Sequence, residues 1–205
     1  MVYDAVSAGT EQKMHCRLLF STDLHQWQEI DPEGEDFIPL GGHGDFDSHI
    51  IFAASGVHRV NGTERVYYLG GNGPHYGVRN SSLGLAMFRT YGLAGIGPAQ
   101  GVSSPSGSVS AMTRVMRVEG SQLLITADVA AGDSLTVSRR CVGGGGCTHE
   151  SSEPLRGNVT DSPVQFTTPF HSGQEVVLSL TFATADPGSR VYVFKWVNVT
   201  SVQFQ

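Results

Sequence analysis

The sequence predicts an all-β protein, and three observations predict it. Apolar residues recurring at i, i+3, i+4 and i+7 are hard to find anywhere in the chain, which leaves no long helix. Glycine is abundant, at 26 of 205 residues, while only 9% of residues are aromatic and 16% charged; short strands joined by tight turns have this composition. The apolar residues also fall in short runs bounded by turn formers. Ile50-Ile51-Phe52-Ala53-Ala54, Val66-Tyr67-Tyr68-Leu69 and Leu83-Gly84-Leu85-Ala86-Met87-Phe88 are separated by Asn61-Gly62-Thr63 and Gly70-Gly71-Asn72-Gly73-Pro74, the pattern of an antiparallel meander.

Taken in order, residues 13–30 predict a hairpin, with strands at 16–20 and 27–30. In its turn, Ser21 and Asp23 satisfy backbone N–H groups locally and Trp27 covers the hairpin end. Residues 31–49 are a loop that opens with an acidic, solvated turn at 31–36. The meander follows, then a tight connector at 91–98. Residues 103–110 are rich in Ser, Gly and Pro, and beyond them alternating strands are expected at 111–119, 122–129, 134–139, 164–167, 176–184 and 190–204. The turns between them are 128–133, the glycine tract 143–146 and Asp186-Pro187-Gly188. Six or more short alternating strands of this kind predict a β-sandwich, so the chain divides into domains 1–95 and 96–205.

Several functional classes are disfavoured. The formal net charge of -6 leaves no basic stripe to neutralise phosphates, so no nucleic-acid partner is expected. No apolar run approaches the roughly 20 residues that span a bilayer. The glycine tracts at 41–44, 70–73 and 143–146 neither open a helix after a strand nor carry Lys-Ser/Thr, so they are not phosphate loops. No two of His43, His49, His58 and His75 stand at i, i+2 or i, i+4 to form a histidine pair that a carboxylate could complete, so neither a metal site nor any other cofactor is expected.

Asparagine usage points to the secretory pathway. Of five asparagines, four begin an Asn-x-Ser/Thr triplet: Asn61, Asn80, Asn158 and Asn198. With Ser and Thr at 35 of 205 positions, chance gives about one. The competing explanation, that turns favour Asn followed by Gly or Ser, suits Asn61 and Asn80 better than Asn158 and Asn198. Four glycines between Cys141 and Cys147 let those sulfurs meet in a disulfide. Cys16 is left as a buried thiol or one whose partner is missing. No signal-type segment follows Met1, from which we expect the natural N-terminus to lie upstream.

The loop Gly41-Gly42-His43-Gly44-Asp45-Phe46-Asp47-Ser48-His49 is the candidate site. In extended backbone Asp45 and Asp47 project to one face. Three readings follow: an acid/base pair sharing a proton, a sugar pocket lined by Asp45, Asp47, His49 and His75, or carboxylates that merely cap loop N–H groups. Tyr67, Tyr68, Tyr76 and Trp27 could stack on sugar faces, although strand aromatics more often fill cores.

Ser21-Thr22-Asp23-Leu24-His25-Gln26-Trp27 resembles the S-x-D-L-x-x-W turn ending blades of five-bladed propeller glycoside hydrolases of the invertase-like, sucrose- and fructan-cleaving class. Residues 44–54 followed by Arg65-Val66-Tyr67-Tyr68-Leu69-Gly70-Gly71 resemble a late blade. Leu83-Gly84-Leu85-Ala86-Met87-Phe88-Arg89 with Gly92-Leu93 is similar to the I-G-L-A-x-x-R-x-D-G-F exit before the accessory sandwich, with Thr90-Tyr91 replacing the polar-Asp pair. The resemblance implies about two C-terminal blades of a propeller followed by a β-sandwich, and carbohydrate as partner. The family's N-D-P nucleophile, R-D-P stabiliser and E-C acid/base motifs do not occur here, so no residue is assigned a catalytic role. The expected function is therefore that of a glycoside-hydrolase-like protein acting on or binding carbohydrate, incomplete and inactive as this chain, with the missing blades supplied by upstream sequence. The alternative is a non-catalytic extracellular carbohydrate-binding or adhesion module.

Overall fold

The computed structural model describes residues 2–3, 12–30, 36–99, 107–143, 149–184 and 186–197, and these are all-β with no helix. The chain forms two compact units, Met1–Gly92 and Leu93–Gln205, against the expected division after residue 95.

The first unit contains β1 (Val2–Tyr3), β2 (Met14–His15), β3 (Leu19–Phe20), β4 (Gln28–Glu29), β5 (Ile50–Ala53), β6 (His58–Val60), β7 (Thr63–Gly71) and β8 (Ser81–Arg89). β7 is its centre. β8 pairs along the whole of one edge, from Thr63↔Arg89 to Gly71↔Ser81. The other edge is shared by β5, in register Ile50↔Gly71, and β6, in register Val60↔Thr63. The two-residue turn from β6 to β7 is Asn61-Gly62, both left-handed (φ 50° and 75°), the I′ geometry that matches strand twist. The expected meander is thus present, antiparallel throughout. β2 extends it by pairing in parallel with β5 at Met14↔Ile50, and β1 pairs with β2. The expected hairpin is shorter than its apolar run: only Leu19–Phe20 and Gln28–Glu29 pair, because Met14–His15 is drawn to β5 and Cys16 bridges Ile38. Its turn is capped as expected, with Asp23 Oδ1 accepting from the His25 and Gln26 amides at 2.8 Å each.

The period-2 pattern of β7 divides the sheet's two faces. Val66 and Tyr68 point into a core with Cys16, Ile38 and Ile51, against which Phe37, Leu40, Ala86 and Phe88 pack. The opposite face is also apolar, yet exposed: Tyr67, Leu69, Leu83, Leu85 and Met87 are 40–79% accessible. Tyr67↔Leu85 and Leu69↔Leu83 are directly opposed, so these side chains form one continuous strip. At the β6–β7 end, buried Glu64 accepts from Arg59 and from the Tyr91 amide, and the Arg59 guanidinium lies 4.2 Å from the Tyr91 ring centre.

The second unit holds β9 (Val109–Met112), β10 (Met116–Arg117), β11 (Gln122–Asp128), β12 (Leu135–Cys141), β13 (Glu150–Ser151), β14 (Val159–Pro163), β15 (Glu175–Phe182) and β16 (Arg190–Val197). One sheet runs β14-β11-β16. In the other, β15 is flanked by β12 and then β13 on one side and by β9 and β10 on the other. Alternate residues of both sheets, among them Leu123 and Ile125, Leu135 and Val137, Leu178 and Leu180, enter a single core and are at most 3% exposed. None of the sheets formed by the described residues closes on itself.

Two expected strands are corrected. The run 111–119 splits into β9 and β10, because Thr113 Oγ1 accepts from the Leu178 amide and its side chain replaces a rung of the ladder. The segment 164–167 is not a strand: pairing falls on Val159–Pro163, the Val164 amide makes the last bond to β11, and the residues beyond it run toward Arg139. Of the strand expected at 190–204, Arg190–Val197 forms, and 198–204 lies outside the described residues.

Candidate functional site

The loop 41–49 leads into β5 and lies against the end of β7, with the His49 amide donating to Gly71 O at 3.0 Å and His49 O accepting from the Met14 amide at 2.9 Å. Asp45 N donates to Gly42 O at 3.0 Å, and Asp45 Oδ2 accepts the Gly42 amide at 2.8 Å. Asp45 is exposed and Asp47 is 8% exposed. Asp47 Oδ2 accepts a hydrogen bond from the Tyr68 hydroxyl at 2.8 Å, and Phe46 stacks on Tyr68 with ring centres 6.1 Å apart. Burial first, and then the Asp47 hydrogen bond, push the Tyr68 phenol up to about 12, so Tyr68 keeps its proton and acts as the donor.

Missing side chains make this arrangement possible. A Cβ at Gly84 would sit 2.1 Å from Tyr68 Cζ, and one at Gly70 would sit 2.6 Å from Asp47 Cβ. A Cβ at Gly41 would lie 2.1 Å from Asp47 Oδ1 and 3.2 Å from Asp45 Oδ2, so both carboxylates converge on the space that glycine leaves open. Gly70 and Gly84 were not among the candidate residues of the sequence. Glycines inside strands that otherwise read as apolar were the available signal, since they mark close approach.

The structure brings Asp45, Asp47 and His49 together on one loop; His49 Nδ1 lies 3.1 Å from Ser48 Oγ. His75 is elsewhere. Its ring meets Phe52 edge-on at 6.0 Å, and Phe52 opposes Leu69, whose side chain is on the sheet face opposite Tyr68. Tyr68 belongs to the core, whereas Trp27, Tyr67 and Tyr76 are exposed. Both loop carboxylates are engaged in holding the backbone or a phenol, and the loop is a fixed scaffold of hydrogen-bond acceptors. Among the described residues no group of three or more His, Cys, Asp or Glu could hold a metal ion.

Asn61, Asn80 and Asn158 are exposed, and Asn198 lies outside the described residues. Cys141, at the end of β12, is disulfide-bonded; Cys147 lies outside the described residues. Cys16 is a free, buried thiol whose pKa is pushed up by burial. Among the described residues no helix is long and apolar enough to cross a membrane. No family model, curated protein or solved structure matches the chain.

Proposed function

We propose that this is a carbohydrate-binding protein of the invertase-like, propeller-plus-sandwich type, in which the first unit supplies late blades and the second is the accessory β-sandwich. The observation that carries the reading is the sheet of the first unit, apolar on both faces, with the side chains of one face exposed among the described residues. A propeller blade is such a layer, because it is packed between neighbours on both sides. The second unit's two sheets, filling one core from alternate residues, support the sandwich.

Binding is favoured over hydrolysis. Retaining glycoside cleavage requires a nucleophilic carboxylate and a separate acid at about 5–5.5 Å. Here Asp47 is committed to Tyr68, and Asp45 to the Gly42 amide. The exposed part of the loop, Asp45 and half-buried His49, is suited to accepting sugar hydroxyls at a rim. The four sequons support a secretory-pathway setting for this activity.

The test is a neutral-glycan array probed with protein secreted from a eukaryotic host. Retention of at least one neutral glycan, weakened tenfold or more in Asp45→Asn and His49→Ala, is the expected result. Absence of any glycan binding, or binding unchanged in both variants, refutes the rim-loop reading. Upstream coding sequence bearing N-D-P and E-C motifs would extend the reading to an enzyme.

A further inference from the structure

The second unit contains a surface cleft of about 330 Å³ beside β11 and the segment 164–170. Its lining includes Ser121, Gln122, Gln165, Thr167 and Thr168, with Phe166 among them, and none of its lining residues is charged. The wall of this cleft is held from beneath by an ion pair. Arg139 points inward from β12 and is 1% exposed, and its Nη2 donates to Glu150 Oε2 at 2.6 Å and to Thr168 O at 2.7 Å. Its guanidinium lies 4.9 Å from the Phe166 ring centre and 4.6 Å from that of Phe170. Glu150 in turn accepts the Thr167 and Thr168 amides.

Burying an arginine is costly, and an apolar residue at an inward strand position usually stabilises a core as well or better. Leu135 and Val137 occupy the equivalent inward positions on the same strand. What Arg139 adds is rigidity: it ties the carbonyl of Thr168 and two aromatic rings to one guanidinium, so a loop outside the ladders is fixed. Rigid polar groups around an apolar floor reduce the ordering cost of binding a small ligand. The absence of charge in the lining disfavours ionic ligands, and amide and hydroxyl side chains beside a phenyl ring suit a neutral molecule rich in hydroxyls.

We propose that this cleft is a second binding site, for a neutral saccharide, pre-formed by the Arg139–Glu150 pair. The proposal deepens the carbohydrate reading above and rests on it for the choice of sugars among neutral polyols. The experiment is saturation-transfer NMR on the full chain with sucrose, maltose, lactose and cellobiose, using a sulfated disaccharide as the charged control. At least one neutral disaccharide is expected to receive saturation in the Asp45→Asn background, where the rim loop is disabled, with affinity reduced tenfold or more on adding Gln165→Ala or Phe166→Ala. Gln165 is exposed, so its truncation leaves the fold intact and keeps the test decisive should Phe166→Ala unfold. Binding that survives both cleft variants overturns the proposal. So does binding lost only in Asp45→Asn, which would leave the rim loop as the site, preference for the sulfated sugar, or no binding of any disaccharide.

Discussion

Replacing Tyr68 by phenylalanine isolates the bond that fixes the candidate loop. The ring stays in place against Gly84 and Phe46, so packing is retained and only the hydroxyl is removed. Asp47, 8% exposed, then keeps a buried carboxylate oxygen that has lost its donor. Hydrogen bonds to charged groups contribute about 1.5–3 kcal/mol, and an unpaired buried acceptor costs a similar amount, so Tyr68→Phe should destabilise the first unit by about 2 kcal/mol. Because the chain has two compact units, a global probe would mix their transitions. Hydrogen exchange of β7 amides in a denaturant series reads the first unit directly. Asp47→Asn retains an acceptor and should cost about 1 kcal/mol, with a coupling of about 1–2 kcal/mol in the double mutant. A Tyr68→Phe cost below about 0.5 kcal/mol, the level of an ordinary surface change, would refute the argument that this bond holds the loop.

Gly84→Ala places a Cβ 2.1 Å from Tyr68 Cζ and should destabilise the same unit by about 1–3 kcal/mol, measured by the same exchange; a neutral result would mean the ring is free to move. Leu85→Lys or Leu83→Lys should change stability by less than about 0.5 kcal/mol, measured by the same exchange, since both side chains are exposed; a loss above about 1.5 kcal/mol would show that the face is covered. Acid should weaken both units. Arg59 first, and then the Tyr91 amide, hold the Glu64 carboxyl below its ordinary value of 4.5. Burial pushes the Asp133 carboxyl up, but donors from Ser189, Thr184 and Ser134 outweigh it and hold the group below 3.8. Depressed folded values mean that this stabilisation is fully present above the ordinary values and lost as pH falls through the folded ones. Unfolding free energy should therefore decline below about pH 4.5, less steeply in Glu64→Gln; an identical acid slope in that variant would count against the Arg59 pair.

The meander of the first unit was legible because its determinants are local. Apolar runs of strand length, and an Asn-Gly pair able to take positive φ at both positions, specify β6, β7 and the turn between them without reference to the rest of the chain. The turn at Ser21 to Gln26 was legible for the same reason, since Ser21 and Asp23 bond to amides two or three residues away. The segment 164–167 departs from the expected strand because alternation alone does not reveal that backbone pairing with β11 stops at Val164, or that a buried arginine from another strand takes the carbonyls of Thr168 and Pro169.

The candidate loop shows where sequence reading stops. Spacing puts Asp45 and Asp47 on one face only if the backbone is extended; the loop instead turns at Gly42–Asp45 and Asp45–Ser48, leaving Asp45 exposed and Asp47 buried, although both carboxylates approach the gap at Gly41. Whether those carboxylates face solvent or the core depends on Tyr68, twenty-one residues from Asp47, and on clearance at Gly70 and Gly84. Likewise the apolar strip of Tyr67, Leu69, Leu83, Leu85 and Met87 looks in sequence like any strand interior, and only strand order reveals that nothing described covers it. The sequence by itself determined the all-β class, the turns and the alternation, because these rest on backbone preferences and neighbouring residues. The tertiary structure decided which carboxylate is consumed by a buried phenol, which histidine stands apart, and which apolar face is left bare, because each depends on contacts between residues distant in the chain.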